Sequence, residues 1–146
     1  MQAAAGSSVT SVDLVLIAAG DQRLQAELRA RLHEVDVSSI LVGDLESARG
    51  ALQRNTFAVA VVDLDGFDQT AALAFIASVR RQQPLTEVIA LMAQPSFERA
   101  LIAIRQGACD VILKSADQLG YLGPRVLSLR SQAQLRLDRQ LILGDS

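Results

Sequence analysis

The sequence predicts an α/β domain, a doubly wound five-stranded parallel sheet with helices on both faces and an extended C-terminal helix. Three observations carry that expectation. Short, continuous apolar runs rich in β-branched residues recur five times, bounded by Gly, Asp or Pro; strands buried on both faces read this way, because neither face can be polar. Longer segments with apolar residues at helical spacing follow each run, and right-handed β-α-β crossovers then put helices on both sides of the sheet. Half of the 146 residues are hydrophobic, which is enough for one sizeable core.

The elements follow in order. Residues 1–11, MQAAAGSSVTS, read as a flexible tail without the charged and apolar regions of a signal peptide. The domain is expected over residues 12–130. Its strands are Leu14–Ala18, Ile40–Val42, Ala58–Val62, Val88–Leu91 and Val111–Leu113. Leu24, Leu28 and Leu32 mark the first helix, and Leu45, Ala48 and Leu52 the second. Ala72, Phe75, Ile76 and Val79 mark the third, and Ala100, Leu101 and Ile104 the fourth. The fifth starts near Pro124, a good first-turn residue, and runs toward Leu143. Val126, Leu129, Ala133, Leu137 and Leu141 keep one apolar face along it. Its second half, from about Ala133, is expected to project past the core. Residues 131–146 therefore read as a signalling or dimerisation helix leading to a further, absent output domain.

Composition excludes several classes. The net charge is −2 with no basic block, so this domain offers no nucleic-acid surface. No apolar stretch approaches the ~20 residues of a membrane span, and a cytoplasmic location is expected. The single cysteine, Cys109, excludes an internal disulfide and a cysteine-based zinc site; it is expected just before the fifth strand as a small buried filler. His33, at the end of the first helix, suits the helix dipole as a surface residue. Gly20 and Gly43 follow strands, but no Gly-x-Gly-x-x-Gly or Gly-Lys-Ser/Thr string accompanies them.

Two polar residues end apolar runs. Asp63 closes the third strand, and Lys114, the sole lysine among fourteen basic residues, closes the fifth. In open parallel sheets the carboxyl ends of strands are where ligands and chemistry sit. A carboxylate and an ammonium are thus expected to meet at the mouth of the sheet.

With FAVAVVDLDG (57–66) and GACDVILKS (107–115), the chain resembles the receiver domain of bacterial response regulators, a CheY-like, flavodoxin-like fold with strand order 2-1-3-4-5. The resemblance covers about Val12 to Arg130. It implies that Asp63 stands at the phosphoacceptor position and Lys114 at the phosphate-contacting position. It also exposes departures. The two acids that hold magnesium in the family are Ala19 and Gly20 here. The switch Ser/Thr is Met92, the switch aromatic is Val111, the proline after the lysine is Ser115, and the Met-Pro pair is Gly66-Phe67.

Magnesium needs oxygen ligands near octahedral geometry, and phosphoryl transfer depends on the metal for charge neutralisation. A thioether cannot donate the hydrogen bond of a switch hydroxyl. The expectation is a degenerate pseudo-receiver, non-catalytic and phosphorylation-independent, with Asp63–Lys114 as a structural ion pair and no cofactor. Magnesium enters only if phosphorylation is retained, with Asp65 or Asp21 as residual contacts. Dimerisation is expected through the fourth helix, fifth strand and fifth helix, with Ala100, Leu101 and Ile104 on that face. A sensor kinase or another signalling protein is the other expected partner. Two alternatives stand: a working phosphoreceiver using Asp63, and a small-ligand domain of flavodoxin-like shape. RLDRQLILGDS (136–146) is similar to the helix before GGDEF-type diguanylate cyclases, which implies cyclic-di-GMP signalling, and less closely to the joint before an AAA+ activator domain.

Overall fold

The computed structural model describes residues 12–143; the expected tail at 1–11 lies outside the described residues. The strands are β1 (Val15–Ala18), β2 (Ser39–Val42), β3 (Val59–Asp63), β4 (Glu87–Met92) and β5 (Ala108–Leu113). All pair in parallel, in the order β2-β1-β3-β4-β5. The chain reverses its winding between β1 and β3, so their carboxyl ends flank the crevice where such sheets place their sites. Helices α1 (Gln22–His33), α2 (Leu45–Arg54), α3 (Gln69–Gln82), α4 (Phe97–Gln106), α5 (Ala116–Leu119) and α6 (Leu122–Leu143) complete the fold.

Strand alternation sorts the core into two layers. Val15 and Ile17 of β1, Val59 and Val61 of β3, and Ile89 and Leu91 of β4 face α1 and α6. Leu16, Ala60, Val62, Ala90 and Met92 face α2, α3 and α4. Small side chains such as Ala60 and Ala90 share that layer with the fully buried Phe57 and Phe75.

Each βα turn ends on a residue built to cap a helix. Asp21, Asp44, Asp68, Ser96 and Ser115 all accept a backbone N–H from the first turn of the helix that follows. Such caps are worth roughly 1 kcal/mol each, and they commit Asp21 and Asp68 to structure.

The fifth unit departs from expectation. β5 begins at Ala108 rather than Val111, because the register slips between Ile89↔Asp110 and Val88↔Ala108 and leaves Cys109 as an extra residue in the strand. Cys109 is therefore within β5 and only partly buried. Gly107 makes the entry possible. It closes α4 at φ 128°, and a Cβ there would collide with Arg80 Cγ. A short helix, α5, precedes the long one, and α6 starts two residues before Pro124.

α6 corrects the largest expectation. It does not leave the core at Ala133. Val126, Leu129, Ala133 and Leu137 are all buried in the α1/α6 layer of their own domain. Arg136 binds Glu87 at 2.6 Å, and Gln134 Oε1 accepts the Val12 N–H at 2.9 Å, so polar bonds fasten the same stretch. These four residues of the expected dimer stripe are thus covered within the chain itself, and Leu141 is the one left exposed. The packed stripe ends at Leu137, which is 6% exposed, whereas Leu141 is 56% and Ile142 82%. Among the described residues, no helix is long and apolar enough to cross a membrane.

A buried polar knot at the opposite rim from the mouth was not visible in the sequence. Thr86 is fully buried, and its hydroxyl lies 2.7 Å from Phe57 O and 2.8 Å from Gln83 Oε1; its single proton serves one of them at a time. Gln83 Nε2 donates to Leu52 O and Asn55 O, each at 2.7 Å. The side chain thereby satisfies carbonyls where α2 gives way to β3, groups that would be costly to bury unpaired.

Candidate functional site

The site is the mouth of the sheet, assembled from the ends of β3, β4 and β5. Asp63 is the last residue of β3, and Lys114 follows β5. The Lys114 N–H donates to Met92 O at 2.9 Å, which extends the β4–β5 ladder one step and aims the side chain back across the mouth. Lys114 Nζ then donates to Asp63 Oδ1 at 2.8 Å and meets Asp65 Oδ2 at 3.1 Å. The two residues that the sequence singled out are therefore joined, with Asp65 as a third member.

Asp63 is the inner charge. Its side chain is 2% exposed, against 18% for Lys114 and 28% for Asp65. Asp63 Oδ1 also accepts the Asp65 N–H at 3.1 Å. Its Oδ2 lies against Gly66, where an added Cβ would sit 2.8 Å from the oxygen. Gly66 is the residue at the expected Met-Pro position, and the closeness of the carboxylate is a reason for glycine there. A burial this deep is tolerable only because an ammonium and an amide meet the charge.

Asp65 is the outer charge. Oδ2 accepts the Ala93 N–H at 2.6 Å, and Oδ1 meets Arg99 Nη2 at 3.1 Å. Arg99 is fixed in turn by Gln69 Oε1 at 3.2 Å. Partial burial pulls the Asp65 carboxyl upward. The bonds from Lys114, Ala93 and Arg99 outweigh it and hold the carboxyl below its ordinary value. For Lys114, burial alone would favour loss of the proton, but bonds to Asp63 and Asp65 outweigh that and raise its pKa. Two carboxylates face two cations, so the cluster is neutral.

The remaining sequence-selected positions fall around this cluster. Ala19 is buried, and its carbonyl takes a hydrogen bond from Gln25 Nε2. Gly20 is exposed, but an added Cβ there would lie 3.3 Å from Gly66 O. The β3–α3 loop therefore crowds the place where an acid would stand. Met92 is 1% exposed and packs into the α2/α3/α4 layer, committed to the core. Val111 is partly buried at the edge of that same layer.

The donor set does not fit magnesium. Ala19 and Gly20 bring no carboxylate. Asp21, expected as a residual contact, spends Oδ1 on the Arg23 N–H at 3.0 Å as the α1 cap. Asp65, the other residual contact, has both oxygens engaged by cations and an amide. Among the described residues, no group of three or more His, Cys, Asp or Glu is placed to hold a metal. Beside Lys114 lies a cavity of about 280 Å³ lined by Asp21, Arg23, Leu24, Glu27 and Ala93.

Arg99 was missed by the sequence reading. It is one arginine among many on a helix whose apolar residues drew attention, and nothing local links it to a residue 34 positions away. Asp65 was noticed only as a metal contact. Its two-residue spacing from Asp63 was the available signal, since residues two apart along extended chain point the same way.

No protein-family model matches the chain, and no curated protein matches its sequence. Solved structures do match its fold. A response regulator from Thermotoga maritima superposes with a TM-score of 0.74 at 24% identity, covering 82% of this chain and 98% of that one. An atypical orphan response regulator, described as having a phosphorylation-independent regulatory mechanism, gives 0.70 at 20% identity, covering 81% and 95%. A response regulator of Burkholderia pseudomallei, bearing a phosphorylated aspartic acid, a calcium ion and citrate, gives 0.69 at 18% identity, covering 92% and 75%. The fold is that of response-regulator receiver domains, CheY-like and doubly wound in the order 2-1-3-4-5.

Proposed function

We propose that this chain is a regulatory receiver-like module that works without phosphorylation and without catalysis. The observation that carries the reading is the closed mouth. Asp63 is buried, paired with Lys114 at 2.8 Å, and accompanied by no acid at positions 19 and 20. An incoming phosphoryl group would meet a carboxylate already neutralised and have no metal to offset its own charge. The orphan regulator of similar fold supports the idea that such a frame can regulate without phosphate.

The module then acts through protein contact in the cytoplasm, with a second copy of itself or with a sensor kinase or other signalling protein. The face formed by α4, β5 and α6 suits this. Phe97 and Ile104 are exposed large apolar residues of α4, Tyr121 just before α6 is another, and only Ala103 of α4 is deeply buried. At the end of α6, Leu141 and Ile142 add a second exposed apolar set, with Leu135 exposed earlier on the helix, suited to pairing or to passing into an output domain. A cyclase of the cyclic-di-GMP class is the output that residues 136–146 favour by resemblance.

The second reading, a working phosphoreceiver, has one favourable observation: Asp63 and Lys114 still meet at the mouth, as the resemblance requires. Treatment with a small phosphodonor and magnesium, followed by intact-protein mass measurement, separates the two. No adduct is expected; a stoichiometric phosphoryl group that disappears in Asp63→Asn establishes the second reading instead. The small-ligand alternative has, at the mouth, the cavity of about 280 Å³ beside Lys114, just below the ~300–1,000 Å³ of ordinary ligand sites.

A further inference from the structure

We infer that the mouth holds a seat for a small oxyanion and that the chain fills this seat with its own Asp65 carboxylate, an internal ligand that sets the position of α4. Three donors from three places in the fold converge on that carboxylate. Lys114, after β5, brings an ammonium at 3.1 Å, and Arg99, in the first turn of α4, brings a guanidinium at 3.1 Å. Ala93, in the loop between β4 and α4, brings its backbone N–H at 2.6 Å. An ammonium, a guanidinium and an oriented amide make the donor set that recognises a carboxylate or a phosphate oxygen.

The occupant has nothing else to do. Asp65 caps no helix, and its carboxylate makes its polar contacts with the β4–α4 loop, α4 and Lys114. Every one of those contacts ties the end of β3 to a part of the chain at least 28 residues away. α4 also packs through Ala103, which is deeply buried, and Ala100, which is partly buried, and Arg99 reaches Gln69 of α3 at 3.2 Å; none of these contacts reaches the mouth. The Asp65 carboxylate is therefore the main polar link between α4 and the mouth. In receptors that wait for an anion, the bound anion supplies this link; here it is covalently part of the chain, so the arrangement of α4 is permanent rather than conditional.

This inference rests on the proposed closure of the mouth to phosphoryl transfer. The test below uses formate, which cannot phosphorylate, so the two can fail separately. In Asp65→Ala the missing group has the size and charge of formate. Residue-resolved amide exchange on the full chain reads the link at its own atom, the Ala93 N–H. Exchange at Ala93 and in the first turn of α4 is expected to rise about tenfold or more, the scale for losing a hydrogen bond to a charged acceptor. About 100 mM formate, a concentration chosen for the weak binding expected of so small an anion, should restore protection. Chloride at equal ionic strength should not, and wild-type exchange should not respond to either salt. Unchanged Ala93 exchange in a folded Asp65→Ala protein overturns the inference, and so does raised exchange that formate leaves untouched. If Asp65→Ala does not fold, Asp65→Asn keeps the shape and removes the charge. Intermediate protection of Ala93 supports the inference, and protection equal to wild type refutes it.

Discussion

Lys114→Met removes the one ammonium from the mouth while leaving a side chain of similar length. Its cost follows from what remains. Asp63 loses its 2.8 Å partner and keeps a side chain that is 2% exposed, so water cannot replace the lost charge. Stripping one partner from a buried pair costs about 3–5 kcal/mol, a large part of the ~5–15 kcal/mol that holds a domain together. Asp65 suffers less, because Ala93 and Arg99 still hold it and it is 28% exposed. The double variant Asp63→Asn/Lys114→Met removes the buried charge along with its partner. It should recover at least about 2 kcal/mol, since replacing both members of a buried pair is often near neutral.

Urea unfolding at pH 7 with an unchanged denaturant slope measures both. The pH dependence has a definite sign. Asp65 has a lowered folded pKa, so its contribution is whole above its ordinary value of 3.8 and is lost as pH falls through the lower folded value. Lys114 has a raised folded pKa, so its contribution is whole below 10.5 and is lost as pH rises through the higher folded value. The gap between wild type and Lys114→Met should thus shrink at both ends of the pH range. A loss under ~1 kcal/mol for Lys114→Met, or a double variant costing the sum of the singles, refutes the claim that the pair is buried and mutually dependent.

Two further outcomes are expected. Leu137→Glu should cost about 2–4 kcal/mol, because it places a charge where a buried leucine packs. Leu141→Glu should stay within about 0.5 kcal/mol of wild type, yet convert a dimer to monomers by light scattering if the α6 end is the contact; a wild-type monomer or an unaltered dimer counts against that contact. Burial, reinforced by the nearby Glu87 carboxylate, pushes the Cys109 thiol from 9.0 to about 11. Alkylation by iodoacetamide at pH 8 should therefore run roughly 100-fold slower in the folded protein than in urea, since reactivity follows the thiolate fraction; equal rates would contradict the burial.

The sheet was legible because its apolar runs are long and its breaks sharp. Val59–Asp63 and Val88–Leu91 can be neither amphipathic helices nor half-exposed strands. The start of β5 was not legible, because a bulge at Cys109 and the polar Asp110 interrupt the apolar signal, and only a neighbouring strand reveals that they pair. The fate of α6 was misjudged for a different reason. Its periodic leucines specify a buried face, but periodicity does not say what buries it. Glu87 and Val12, distant in sequence, fasten the stretch around Ala133 and Leu137 to the rest of the fold. At the mouth, the strand-ending positions of Asp63 and Lys114 announced themselves. The partners of Asp65 did not, since Arg99 and the Ala93 amide reach it only through the crossover.

The central claim is that Asp63 is a structural charge and no longer a phosphoacceptor. Intact-protein mass measurement, taken within minutes of mixing the protein with acetyl phosphate and magnesium in the cold, tests it most directly. The closed, neutral mouth predicts an unmodified mass for wild type and Asp63→Asn alike. A phosphoryl adduct approaching one per chain in wild type, absent from Asp63→Asn, would contradict it.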